Sequence, residues 1–363
     1  MTADRMLLSL VGRNLLLALV GLVGLFLLVD LLESVGRLLD GGAGLVIVMQ
    51  FYATKVPALI LQLLPVALVV GAGTAFAQLG RHLELRALAA AGLGPGRLLR
   101  PVAMLVFLVA VAMMALSQWA VPPATRNMES LMQGSLGRLD SSWRFFRTHL
   151  WFAAGENRLI RLGPRTVDGK RMRAVTVLDL DEAFHLKRRW DIGKVRWRDS
   201  EGAWYGYSIQ ERDFSPEGSR FKVHKELKLD WAVGPDRFQD LSGRPAEKSL
   251  AELEATAQAL LSRGLDPAEW ILAWHMRWSY PILAALLVFV MFPLWVSPAR
   301  RRSLAMALLE SAGLVSLAFG LLAVCRFSVS GDLLSPAWGA WAVCIFFAMA
   351  ALATWFSSLW SRR

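Results

Sequence analysis

Cysteine is almost missing from this chain: of 363 residues, only Cys325 and Cys344 carry a thiol, both in or at the edge of apolar runs. Two isolated thiols exclude a disulfide framework and cannot complete a zinc site by themselves. Histidine is as scarce. The five, at positions 82, 149, 185, 224 and 275, stand far apart, and none shares a helix face with another or with a cysteine. Catalytic signatures are lacking too. Gly169-Lys170 is followed by Arg171 and has no upstream glycine at the spacing a phosphate-binding loop needs. Neither a G-x-S-x-G elbow nor an H-E-x-x-H helix occurs, and no pair among the many carboxylates stands out. No metal, cofactor or catalytic residue is expected. The first apolar run has no small-residue cleavage site and reads as an uncleaved first span.

Charge is short in two long stretches, 14–121 and 278–359, which hold the apolar runs. The whole chain is 55% hydrophobic, against about 45–50% for an ordinary soluble domain. Its mean hydropathy is +0.42. Between the two stretches, residues 121–268 hold 25 of the 40 Lys+Arg and 21 of the 29 Asp+Glu, for a net +4. The flanks carry the other 15 and 8, a net +7. A pI near 10.2 would suit a nucleic-acid binder. The flanking positives sit at helix ends, however, where membrane topology accounts for them and no nucleic acid is implied.

A membrane-crossing helix needs about 20 apolar residues to pass roughly 30 Å of hydrocarbon. Six segments qualify: Leu15–Leu32, Val56–Leu79, Val102–Val121, Tyr280–Val296, Leu304–Val324 and Ala337–Leu359. Pro101 is expected to open the third and Pro122-Pro123 to close it. Trp270, Trp274, Trp278 and Tyr280 form an aromatic anchor before the short fourth. Arg5, Arg13, Arg81, Arg86, Arg97, Arg100, Arg300, Arg301, Arg302, Arg362 and Arg363 fall on one side, against Asp4 and Glu84. Short connections on the other side nearly cancel. The positive-inside rule then puts both termini in the cytoplasm and the insert across the membrane. The expected division is 1–121 for spans one to three, 122–268 for the insert, and 269–363 for spans four to six.

Within the insert, Phe221 to Val233 alternates apolar and polar, interrupted only at Lys225, as a half-buried strand does. Phe221, Val223, Leu227, Leu229, Trp231 and Val233 are expected on one face. Ala174–Leu180, Val195–Arg198 and Trp204–Gln210 are shorter strand candidates, with a turn at Asp168-Gly169. Short strands with turn signals predict an antiparallel sandwich or open roll. A capping box, Ser249 to Glu252, then opens a helix with Leu250, Leu253, Leu260 and Leu261 on one face and Gly264 beyond its end.

Ionisable residues near spans are costly and few. Glu310 lies about two turns into the fifth span, where it either reaches the cytoplasmic edge or lines a cavity. Arg37, Lys55 and Arg326 mark the outer boundary, either snorkelling or meeting anionic lipid headgroups. Asp30 and Glu33, near water, need no special role. The loop joining spans two and three favours helix over 81–91, stopped by Gly92 and Pro95. Leu83, Ala87, Ala90 and Ala91 give it a smooth face. It reads as an interfacial helix or as a docking helix for a cytoplasmic partner.

With three spans on either side of one insert, the chain resembles the YjgP/YjgQ permease family, the LptF and LptG subunits of the lipopolysaccharide exporter. The resemblance also rests on Glu84-Leu85 through Gly92, Leu253…Leu260…Gly264, Arg277, Pro281, and Phe292-Pro293 before Ser297-Pro298-Ala-Arg-Arg. Leu150 to Ile160 looks more like the opening strand of LptG than of LptF. The resemblance implies a half-transporter rather than an enzyme, with a periplasmic antiparallel β-jellyroll inserted into a polytopic α-helical membrane protein. Its implied partners are an LptB-like ATPase dimer, the paralogous permease subunit, an LptC-like bridge, lipopolysaccharide and membrane lipids. ATPase coupling would fall on Arg81, Glu84, Arg86, Leu88 and Gly92, and lipid acyl chains on the groove residues Phe221, Val223, Leu227, Leu229 and Trp231. Where LptG relatives tend to carry a lysine at the outer end of the first span, this chain has Glu33, so the resemblance does not carry a phosphate contact to that position. Two rival readings are a membrane-anchored enzyme, which the missing catalytic motifs disfavour, and a secondary transporter, which the missing inverted repeat disfavours.

Overall fold

The computed structural model describes residues 3–40, 44–134, 150–153, 157–163, 170–181, 185–215, 218–229, 231, 234, 244–262, 266–296 and 303–360. Val233, Gly264, Pro298 and the turn at Asp168-Gly169 lie outside the described residues, as does the side chain of Arg37.

The helices are α1 (Ala3–Asp40), α2 (Leu45–Arg81), α3 (Glu84–Ala90), α4 (Pro95–Ala115), α5 (Val121–Gly134), α6 (Leu250–Leu261), α7 (Ala268–Trp295), α8 (Leu304–Ser330) and α9 (Pro336–Trp360). Six spans are long and apolar enough to cross a membrane: Ala3–Ser34, Leu45–Arg81, Pro95–Met128, Ala268–Trp295, Leu304–Ser330 and Pro336–Ser357. Each contains or overlaps an expected apolar run and extends past it, because the flanking Ala, Leu and Arg residues favour helix outside hydrocarbon as well.

The third span departs from expectation at both ends. Pro95, not Pro101, occupies the first turn, after Gly94 in extended geometry, and Pro101 lies inside the helix. Pro122 and Pro123 do not end it. A π-helical turn, Leu116–Ala120, joins α4 to α5, and the helix runs on to Gly134. Within that turn the Val121 N–H bonds Leu116 O. Continued one residue on, the same spacing would pair Ser117 O with Pro122, which has no N–H. An outside donor takes that carbonyl instead, as described below.

Inside the bundle α2 is central. A Cβ on Gly71 would meet the Leu15 backbone at 2.6 Å, and one on Gly73 would meet Ser311 Oγ at 2.9 Å, so only glycine lets α1 and α8 approach this closely. Phe76 stacks on Trp295 with centroids 6.0 Å apart, and Phe292 stacks on Trp355 at 6.0 Å, tying α2, α7 and α9 together. In contrast, only 6% of the most apolar stretch of α1 is buried, so its Leu16, Leu17, Val20 and Leu32 face outward.

The insert is one antiparallel sheet in chain order: β1 (Leu150–Ala153), β2 (Arg158–Leu162), β3 (Arg171–Leu180), β4 (Leu186–Arg198), β5 (Ala203–Ser215) and β6 (Gly218–Leu229). The stretch from Leu150 to Ile160, expected as a single opening strand, is a hairpin: Ala153 pairs with Leu159 and Phe152 with Ile160. Among the described residues, consecutive strands are neighbours. The links between these strands are short, such as the two residues between β5 and β6, as antiparallel neighbours allow.

One face of this sheet carries the core: Ile160, Leu162, Met172, Val175, Val177, Ile192, Val195, Trp204, Ile209 and Leu229. The alternation of buried and exposed residues slips phase in four strands along one line. On β3 the pairing passes from Arg173 to Val175, omitting Ala174; on β4 it omits Gly193. On β5 and β6 it omits Ser208 and Lys225. Ala174 and Ser208 have φ of 52° and 55°, in the left-handed region. Each such residue turns the next side chain to the opposite face.

Candidate functional site

The loop between α2 and α4 is built from its breaks. Helix α2 ends at Arg81, with the His82 N–H donating to Gln78 O at 3.2 Å. Leu83 takes φ of 58°, so the expected helix over 81–91 starts only at Glu84. Leu85 is buried and Leu88, one turn on, packs beside it against the bundle core. Glu84, Ala87, Ala90 and Ala91 are exposed, as is Leu83. Arg81 and Arg86 are exposed as well. At the other end the Leu93 N–H donates to Leu88 O at 3.0 Å, and Gly92 adopts φ of 77°. This six-to-one closure needs a left-handed residue at the helix end, which glycine supplies without strain. So Leu88 and Gly92 shape and seat the helix, while Glu84 and the alanines form its free face.

Near the start of α2, Lys55 is tied up. Its Nζ lies 2.6 Å from Asp30 Oδ1, bridging α1 and α2, and 5.7 Å from the Phe51 ring centroid. Asp30, which sequence reasoning left without a role, neutralises it. Arg326 is exposed on α8, and Arg37 lies in α1.

The groove candidates divide at the phase slip. Leu229 is buried, with Leu227 and Trp231 packed on the same core. Trp204 lies 5.2 Å from Trp197 and 5.8 Å from Trp231, ring centroid to centroid. Phe221 and Val223, beyond Lys225, are 55% and 63% exposed on the opposite face. They pair with Arg212 and Gln210, which also point away from the core. Where alternation would have put Phe221 and Val223, the core face instead holds His224. Next to it comes a charged patch. Arg158 is bidentate to Asp179 at 2.6 and 3.3 Å, Arg188 reaches Glu211 at 3.4 Å and Asp213 at 3.7 Å, and His224 Nε2 lies 2.8 Å from Glu211.

A polar junction where the insert returns to the spans went unread in the sequence. Arg277 of α7 donates to Ser117 O of the π turn, to Lys248 O at 2.6 Å and to Pro245 O at 3.3 Å. Gln118 accepts from the Leu250 N–H at 3.0 Å. Arg126 of α5 donates from Nε to Glu247 O at 2.8 Å and grips both oxygens of Glu252 at 2.6 and 2.7 Å. Glu252 also closes the expected capping box with Ser249. The backbone N–H of Ser249, with Arg126 adding to it, holds the Glu252 carboxyl below its ordinary pKa. The available signal was an arginine inside an apolar helix, which survives there only with partners. Those partners are distant in sequence.

A family model described as lipopolysaccharide export system permease LptF/LptG matches residues 5–357. Among curated proteins, none matches the chain.

Proposed function

The chain belongs to the LptF/LptG family, permease subunits of the lipopolysaccharide export system, and from that premise we propose how its parts divide the work. It is a multi-pass protein of the inner membrane and a transport component rather than an enzyme. In our reading it pairs with the other permease subunit, and a separate LptB-like ATPase dimer supplies the energy. Lipopolysaccharide leaves the membrane between the two bundles and rises along the insert towards an LptC-like bridge. The arginine bias of the cytoplasmic segments supports placing both termini in the cytoplasm and the insert in the periplasm. The resemblance of the segment from Leu150 to Ile160 favours the LptG role. The domain division follows the same scheme: spans in 1–121 and 269–363, insert in 122–268.

The observation that carries the coupling reading is the exposed face of α3. A short helix seated by Leu85 and Leu88 between two spans passes any push on its free face to both of them. Glu84 is the acidic group on that face, flanked by Arg81 and Arg86. Pairing with a basic residue in a groove of the ATPase would bury it. Losing one member of a buried, hydrogen-bonded pair costs about 2–5 kcal/mol, against about 0–1 kcal/mol for an exposed pair. Glu84→Ala should therefore weaken ATPase association or uncouple hydrolysis from lipid release, with Glu84→Asp milder and Arg86→Ala milder still. Subunit stoichiometry, ATP hydrolysis and lipopolysaccharide release of the complex in nanodiscs measure this together. Wild-type values in all three for Glu84→Ala would remove α3 as the contact.

In the insert, we assign acyl-chain contact to Leu227, Leu229 and Trp231. For headgroup contact we favour the exposed Arg326 over Lys55, whose charge is met by Asp30, and keep Arg37 as a sequence candidate.

A further inference from the structure

We propose that the junction of Arg277, Arg126 and Gln118 is the joint through which movement of the third helix reaches the insert. This rests on the reading of α3 as the point where force enters. The third helix is continuous from Pro95 to Gly134 through the π turn. At about 1.5 Å per residue those 40 residues make a rod of about 60 Å, longer than the hydrocarbon is thick. Its first residue follows α3 by one short turn. The junction stands along its second half, from Ser117 to Arg126.

The chemistry of the junction suits a mechanical joint better than a charge pair. Arg277 gives its guanidinium to three backbone carbonyls on two separate segments, the π turn and residues 245–248. A planar fork fixes direction at each acceptor, which a lysine ammonium cannot reproduce. One of the three acceptors, Ser117 O, sits where Pro122 supplies no N–H, so the π turn and the arginine complete each other. Arg126 and Gln118 hold the next residues of the same segment, through Glu247 O, the Glu252 carboxylate and the Leu250 N–H. The segment 245–252, which runs into the first turn of α6, is therefore bonded to the third helix at several points and to α7 at two. Displacing the rod along its axis must carry α6, and with it the end of the insert, or break these bonds.

The test uses the full complex in nanodiscs, with Cys325→Ser and Cys344→Ser as background. Spin labels at Ser130→Cys on α5 and Leu261→Cys on α6, both exposed positions, report the distance across the joint. A photo-crosslinker at Trp231 reports lipopolysaccharide arriving on the insert, and ATP hydrolysis is read in parallel. Expected for Arg277→Gln is a broadened distance distribution, with ATP hydrolysis at the wild-type rate and lipid transfer reduced about tenfold, as the loss of satisfied buried carbonyls implies. Arg277→Lys should not rescue it. Arg126→Gln removes a more exposed set of bonds and leaves Arg277 in place, so it should assemble normally and show the same broadening, with a smaller loss of transfer. An unchanged distance distribution in Arg126→Gln and Arg277→Gln overturns the joint, as does wild-type transfer in an assembled Arg277→Gln complex. If Arg277→Gln does not assemble, the Arg126→Gln distances decide alone. Wild-type coupling in Glu84→Ala together with uncoupling in Arg277→Gln would retire α3 as the point of force and keep the joint.

Discussion

The sheet of the insert has two halves that share every backbone rule and differ in what they bury. On one side of the line through Ala174, Gly193, Ser208 and Lys225, the core face carries Met172, Val195, Trp197, Trp204, Leu227 and Leu229. On the other it changes within two rows from Val175, Ile192 and Ile209 to Arg158, Asp179, Arg188 and Glu211. Pairing is antiparallel throughout. What separates the halves is phase. Each of the four strands leaves one residue out of the pairing, left-handed at Ala174 and Ser208, and the next side chain passes to the opposite face, so an apolar strand end can be turned outward while its own polar residues are turned in. The ion pairs on the second half make it a poor solvent for hydrocarbon, which is why the proposed acyl-chain contact is confined to the first.

The largest effect that would sharpen this contrast is expected at Trp204. It is fully buried and in ring contact with Trp197 and Trp231. Trp204→Ala should cost about 3–5 kcal/mol of local stability, read as lost hydrogen-exchange protection in β5 and β6. In the charged half, Arg188→Ala should cost only about 1 kcal/mol, since Arg188 and Asp213 are each more than one-third exposed. Smaller again is Val223→Ser, expected within about 0.5 kcal/mol of wild type by the same measurement because the side chain faces away from the core. Lipopolysaccharide should crosslink at Leu227 and not at Val223. Protection lost equally at Val223 and Trp204 would break the comparison, because it would put both on one face.

The contrast also marks how far the sequence could be read. Spans announce themselves by length and apolarity alone, so all six were legible, and so was the capping box of α6. The end of the third span was not. Pro122-Pro123 is ordinarily a stop, and only an arginine more than 150 positions away supplies what the prolines withhold. Strand existence was legible from alternation, and strand facing was not. The one visible trace of the phase slip was Lys225, a polar residue at an apolar position, which reads as a blemish in one strand until three neighbours are seen to slip with it. In the α3 loop, Glu84 and Gly92 were legible by type, whereas the inward turn of Leu88 depends on where α3 starts, and Leu83 sets that with a conformation its side chain disfavours. The junction around Arg277 joins residues 117, 126, 245–252 and 277, and no local pattern links them.

A further small effect, of opposite sign, tests the phase slip at its source. Ala174 holds φ of 52°, a conformation that costs a residue with a Cβ about 1–2 kcal/mol. Glycine adopts it freely, but gives up about 0.5–1 kcal/mol through the entropy of its unfolded chain. The two terms oppose each other, and the strain is the larger. Ala174→Gly should therefore stabilise the sheet by about 0.5 kcal/mol, seen as a small gain in hydrogen-exchange protection on β3 and β4. Ala174→Val should do the reverse and more strongly, because a branched Cβ raises the cost of the left-handed region. The position is exposed, so packing contributes little to either change. A loss of protection in Ala174→Gly would mean that the chain does not adopt the left-handed conformation there. Val175 and Val177 would then continue the alternation of Arg173 unbroken, and the two halves of the sheet would have one phase, with Phe221 and Val223 returned to the face of Leu227 and Leu229.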